Sequence, residues 1–177
     1  FLSQIGYGNR KWYISGLYAH KQGEQGSDPA EGYSTPAVNK DDAALNAFGI
    51  RGYWSPEDSG LMPTVSAGID FGFNDAEADG QVEESFGWMV GLNWKNAFID
   101  GNKLGVAFGS YSSYATEMKG DSDPDDENFA IEAYYDYQVS DNITVTPAIF
   151  WIEDADGAAA VDGSNRLGGL IKTTFKF

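Results

Sequence analysis

From Pro63 to Asn74 the chain alternates without a break: Val65, Ala67, Ile69, Phe71 and Phe73 against Thr64, Ser66, Gly68, Asp70, Gly72 and Asn74. Successive side chains of a strand point to opposite faces, whereas a helix needs apolar residues at i, i+3 and i+4, which this register does not supply. The stretch Leu167 to Phe177 repeats the pattern, with Leu167, Gly169, Ile171, Thr173, Phe175 and Phe177 on one side and Gly168, Leu170, Lys172, Thr174 and Lys176 on the other. A strand of this kind divides an apolar phase from water. The apolar phase is either the core of a soluble sandwich or the lipid around a barrel.

Composition narrows the choice. No apolar run approaches the roughly 18–20 residues that a spanning helix requires. Aromatic residues make up 15% of the chain and glycine contributes 22 of its 177 residues, a pairing that suits an aromatic outer band over a small-residue inner wall. The absence of cysteine excludes a disulfide scaffold and a thiolate metal site. A net charge of −16 argues against nucleic acid or an anionic inner leaflet as partner. The sequence begins on Phe1 and is read as a processed chain or a fragment.

In order, the chain offers a strand stub from Phe1 to Tyr7, a turn at Gly8-Asn9, and a strand from Lys11 to Lys21 of ambiguous phase. There Trp12, Ile14 and Tyr18 form the better apolar face, although Tyr13 and Leu17 compete. Gln22 to Asp42 reads as a long surface loop. Strands follow over 43–54 and 63–74, then an acidic loop from Asp75 to Glu83 and a strand over 85–94. Lys95 to Lys103 reads as a turn, leading into Leu104, Val106 and Phe108, and Thr116 to Glu127 as another acidic loop. Strands over 129–139 and 143–152 flank a turn at Ser140-Asp141-Asn142, and Glu153 to Arg166 precedes the last strand. Eight strands and a stub result, as antiparallel neighbours. Shorter turns alternate with longer acidic loops, as in outer-membrane barrels. Trp12, Trp54, Trp94, Tyr137 and Phe177 fall at the short-turn ends, Trp88 and Trp151 toward the other rim, as interfacial girdles would.

The fold expected is therefore an all-β, transmembrane, antiparallel up-and-down barrel, or part of a larger one. Its inward file carries Arg51, Asp70, Glu132, Asp136 and Lys172, with Lys176 beyond. Charged groups at mid-depth are costly against lipid and cheap in a hydrated lumen, where charged rings tune which ions pass. The competing reading is that these groups pair across strands and hold the wall. Asp121, Asp123 and Asp125, and the run Asp154-Ala155-Asp156-Gly157, invite a calcium reading. Pro124 interrupts the first, and Asn165 stands where the second needs its closing glutamate. His20 is the only histidine, so no catalytic constellation, metal site or cofactor is expected.

The run from Gly87 to Gly109, GWMVGLNWKNAFIDGNKLGVAFG, with EAYYDYQVSDNITVTPAIFWIED and the ending LGGLIKTTFKF, resembles the C-terminal strands of cyanobacterial outer-membrane porins. These belong with the OprB-like carbohydrate-selective porins, also described as iron-uptake porins. The resemblance implies that residues 1–177 are the C-terminal portion of a porin barrel. It implies a trimer in outer-membrane lipid that passes small hydrophilic solutes or inorganic ions passively. It further implies that Phe177 is the aromatic read by the barrel-assembly machinery. Family members also carry a surface-layer-homology domain and additional strands, which this sequence lacks. Two other readings stay open: a soluble or surface-attached acidic β-domain binding sugar or calcium, and a small closed barrel acting as an adhesin. An eight-stranded ring would be nearly filled by side chains. A partial barrel would leave two free edges that lipid does not tolerate.

Overall fold

The computed structural model describes residues 1–22, 44–57, 61–75, 81–111, 113–120, 127–153 and 165–177. These form ten strands: β1 (Leu2–Gly8), β2 (Trp12–Gln22), β3 (Ala44–Trp54), β4 (Thr64–Asn74), β5 (Val82–Lys95), β6 (Lys103–Gly109), β7 (Tyr114–Met118), β8 (Ala130–Ser140), β9 (Ile143–Ile152) and β10 (Arg166–Phe175). All pairings are antiparallel in one sheet of order β1-β2-β3-β4-β5-β6-β8-β9-β10, with β7 also on β5. Since β6 and β7 are successive pieces of one lane, the expected eight strands and a stub appear as nine lanes, one of them broken.

Among the described residues β1 and β10 each pair with one neighbour, so the sheet is an open wall rather than a ring closed on itself. An open wall is consistent with part of a porin barrel.

The register carries two faces from edge to edge. Directly paired residues share a face, so the pairs Ile14–Gly52, Ile50–Ile69, Ile69–Trp88 and Val90–Phe108 continue one outer file across five lanes. Val106–Ala133, Ala133–Ile149 and Ile149–Gly169 carry it on to β10. The phase of β2 is thereby settled: Trp12, Ile14 and Tyr18 are outward, Tyr13 and Leu17 inward. Most of the exposed large apolar side chains lie on this outer file, including Ile50, Ile69, Phe108, Ile131 and Ile149. The buried apolar ones, Leu45, Ala115 and Ile152, are few and sit on the other face. A contiguous apolar surface of this extent has no place in water. An 11-residue strand such as β4, tilted by roughly 45°, rises about 25 Å, the height of the apolar band of a membrane barrel.

Aromatic rings bound the band at two depths. At the short-turn end Trp12 pairs with Trp54, and Trp94 donates its indole N–H to the Leu61 carbonyl at 3.0 Å. Toward the other end run the ring contacts Phe1–Tyr18–Phe48–Phe73, Phe71–Phe86–Tyr114 and Phe108–Trp88–Phe129, with centroids 5.0–6.4 Å apart. Of these rings Trp12, Trp54, Trp94, Tyr18 and Tyr114 join an apolar body to a polar tip, which favours interfacial depths, while the phenylalanines add apolar area to the band.

Several boundaries differ from the sequence reading. β2 runs through Gln22, where a loop was expected to begin. Val82 and Glu83, expected in a loop, open β5, and Thr116 to Met118 belong to β7, because these two rims pair with each other. Lys95 and Lys103 are strand residues paired face to face, so the turn they bracket is 96–102. Ser140 pairs with Ile143, which reduces the β8–β9 connection to Asp141-Asn142, with a register shift after Gln138 taking up the extra residue. The long surface loop expected over 22–42 lies, from residue 23 onward, outside the described residues.

Candidate functional site

The inner face is built of small residues interrupted by charge. Gly49, Gly68, Gly87, Gly91, Gly105 and Gly109 alternate along β3 to β6 with residues of the opposite face. They leave room for side chains to lie flat. A Cβ on Gly105 would overlap the ring of Tyr134, the cross-strand neighbour, so that ring rests against the backbone of β6 instead of projecting from the wall. Its hydroxyl accepts from Asn93 Nδ2 at 2.6 Å, which holds the ring there.

All five candidate pore-lining residues stand on this face. Arg51, on β3 between Ser15 and Gly68, donates from Nη2 to Gln4 Oε1 at 3.3 Å. Asp70, on β4 between Gly49 and Gly87, accepts from the Ser113 hydroxyl. Glu132, on β8 between Ala107 and Phe150, is exposed. Asp136 lies opposite Lys103 yet accepts from Thr146 Oγ1 at 2.6 Å, on the other side of β8. Lys172 lies opposite Thr146. Asp136, Thr146 and Lys172 thus share one row, while Arg51 and Asp70 are neighbours on adjacent strands and Glu132 stands apart. Among the described residues none of the five forms an ion pair; the pairs Lys11–Glu57 at 2.6 Å and Lys119–Glu83 at 4.0 Å lie elsewhere. The side-chain hydrogen bonds of Arg51, Asp70 and Asp136 go to the neutral groups of Gln4, Ser113 and Thr146.

Lys176 lies past β10, where its N–H donates to the Asn142 carbonyl at 2.9 Å. Phe177 follows, fully exposed. His20, on the outer face, approaches Asn46 Oδ1 at 3.0 Å, which also accepts from the Tyr18 hydroxyl at 2.8 Å. Asp121, Asp123, Asp125 and the run 154–157 lie outside the described residues. Among the described residues no group of three acidic, histidine or cysteine side chains is gathered for a metal.

Two inner-face residues escaped the sequence reading. Lys95 continues the file of Met89, Gly91 and Asn93, and Lys103 that of Gly105 and Ala107, but both were assigned to a turn. Extending the alternation one step past Asn93 and one step before Gly105 would have placed them. The turn itself is fixed by Asn102, 1% exposed, which donates from Nδ2 to the Tyr135 hydroxyl at 2.8 Å and accepts the Gln138 N–H on Oδ1 at 2.9 Å.

Residues 15–177 match the carbohydrate-selective porins of the OprB family, a longer stretch than the strands from Trp88 on that carried the resemblance most specifically. A protein of Nostoc sp. (strain PCC 7120), itself described as uncharacterised, is 27% identical over 139 residues, covering 76% of this chain and 22% of that protein. The chain spans about a fifth of that relative's length, at 22%. No solved structure matches. The family is one of channels rather than enzymes, in keeping with the absence of catalytic chemistry expected from the sequence. With its match over all of the wall but β1 and the first three residues of β2, and with an apolar face backed by a polar, glycine-rich one, the chain belongs to the OprB family of carbohydrate-selective porins.

Proposed function

We propose that this chain forms part of the wall of an outer-membrane pore through which small hydrophilic solutes, sugars foremost and inorganic ions besides, diffuse without a chemical step. The observation that carries the reading is the apolar file that runs across the nine lanes, backed by a face on which five charged residues form no ion pair among the described residues. Lipid is the medium the outer file suits, and water the medium the inner file suits. Arg51, Asp70, Glu132, Asp136 and Lys172 line the path in this reading. Trimer assembly and recognition of Phe177 by the assembly machinery belong to the same proposal. The soluble acidic domain is disfavoured by the exposed outer file.

The test is the full-length gene product reconstituted in planar bilayers under a salt gradient. Stable conductance steps are expected, with neutral monosaccharides permeating liposomes that contain it. Arg51→Glu and Lys172→Glu should each shift the reversal potential toward cation preference, because a lumenal charge of inverted sign reverses its attraction for ions. A folded, heat-modifiable protein that passes neither ions nor sugars would overturn the reading.

A further inference from the structure

We propose that the short-turn end of the inner wall holds a site for a small soluble anion, inorganic phosphate or a carboxylate-bearing solute. Its core is the cross-strand pair Lys95–Lys103, with Lys172 as an outlying charge on the same row. The site rests on the pore reading for its effect on permeation, but not for its existence.

The argument starts from the register. Lys95 on β5 faces Lys103 on β6, Lys103 faces Asp136 on β8, and Thr146 on β9 faces Lys172 on β10. All are on the inner face, away from the lipid side, so these lysines are not snorkelling toward headgroups. Directly paired residues lie about 5 Å apart at Cα, and like charges so placed repel and destabilise a sheet. The obvious remedy within the protein is a carboxylate, and one stands beside them. Asp136, however, turns its carboxylate to Thr146, leaving no ion pair to Lys103. Neither Lys95, Lys103 nor Lys172 forms an ion pair with any described carboxylate.

The sequence makes this placement costly to attribute to chance. The chain holds 27 acidic side chains and only 11 basic ones, yet three of the eleven stand on a row with a single acid. A wall selected only for stability would match them. An anion bridging two ammonium groups does so instead, and a row of one sign along a partly enclosed wall concentrates counter-ions there.

The scaffold holds the pair in position. Asn102 pins the turn between β5 and β6 to Tyr135 and Gln138 of β8, which fixes the backbone on which Lys103 begins. Tyr134 lies flat over Gly105, so its ring keeps to the wall. Lysine, a hydrated point charge on a flexible stem, suits a site that must both capture and release.

The experiment uses the full-length protein folded in zwitterionic detergent, with inorganic phosphate as the probe in equilibrium dialysis. Lys95→Gln/Lys103→Gln is compared with wild type, with the conservative Lys103→Arg, and with Lys11→Gln as a control whose partner is Glu57. Wild type, Lys103→Arg and the control should bind phosphate saturably, and the double variant about tenfold more weakly. In bilayers of zwitterionic lipid, which supply no net headgroup charge, the double variant's anion-to-cation permeability ratio should fall by about threefold. Phosphate binding that is equal in wild type and double variant, or absent from both in heat-modifiable protein, overturns the site. Binding without conductance sustains the site and sinks the pore. Conductance without binding, and with an unchanged reversal potential, sustains the pore and sinks the site.

Discussion

A single buried asparagine shows how a residue can govern a rim. Asn102 has both ends of its amide occupied, by the Tyr135 hydroxyl and the Gln138 N–H, and Tyr135 in turn donates to the Ala97 carbonyl at 2.9 Å. Truncating it removes the part-buried bond to the Gln138 N–H, which costs about 1 kcal/mol. Asn102→Ala should lower the urea midpoint for unfolding from lipid vesicles accordingly, while conductance of the folded fraction keeps its size. A wild-type midpoint in the variant would show that the turn is held otherwise. The turn was read from the sequence one residue too long at each end, because Lys95 and Lys103 are polar on a polar file; its backbone was not legible at all. Asn96 and Phe98 both adopt left-handed backbone, at φ 55° and 63°, and Phe is a residue whose presence signals no such conformation.

At the scale of elements, the broken lane is the most informative. Met89 faces Gly109, so an uninterrupted register would set Phe86 against residue 112; it faces Tyr114 instead. The lane has gained two residues, and because side chains alternate with period two, Tyr114 still meets Phe86 on the outer face and Ala115 still meets Ser85 on the inner one. Inserting two residues after Ser110 should therefore leave a folded, heat-modifiable protein, whereas inserting one should invert the faces of β7 and reduce the yield of folded protein in vesicles. Equal yields would show that β7's facing is unimportant. The central portions of most strands were legible in the sequence because there one file is apolar and the other polar. Strand ends were not. Val82 to Glu84 and Thr116 to Met118 lie beyond the apolar band, where both files carry polar residues and alternation leaves no trace. Asp70 and Asp136 were legible as inward-facing, but their choice of Ser113 and Thr146 over a nearby cation depends on side-chain packing across strands that alternation does not encode.

For the whole molecule the governing fact is that its apolar surface faces out and its polar surface in. Placing a lysine at mid-depth should consequently cost about 2–4 kcal/mol on one side and little on the other. Ile69→Lys should lower stability in vesicles by that amount and Ser66→Lys should not, as measured by urea titration; similar losses would mean that lipid does not touch the outer file. The open edges extend the same rule to what lies alongside. A strand that pairs with β1 must set apolar residues opposite Ile5 and Tyr7 and small or polar ones opposite Gln4 and Gly6. One that pairs with β10 must do so against Leu167 and Ile171, with Gly168 and Lys172 answering on the other side. The two borders thus act as a grammar: they prescribe the phase of the first word that can be written next to either of them.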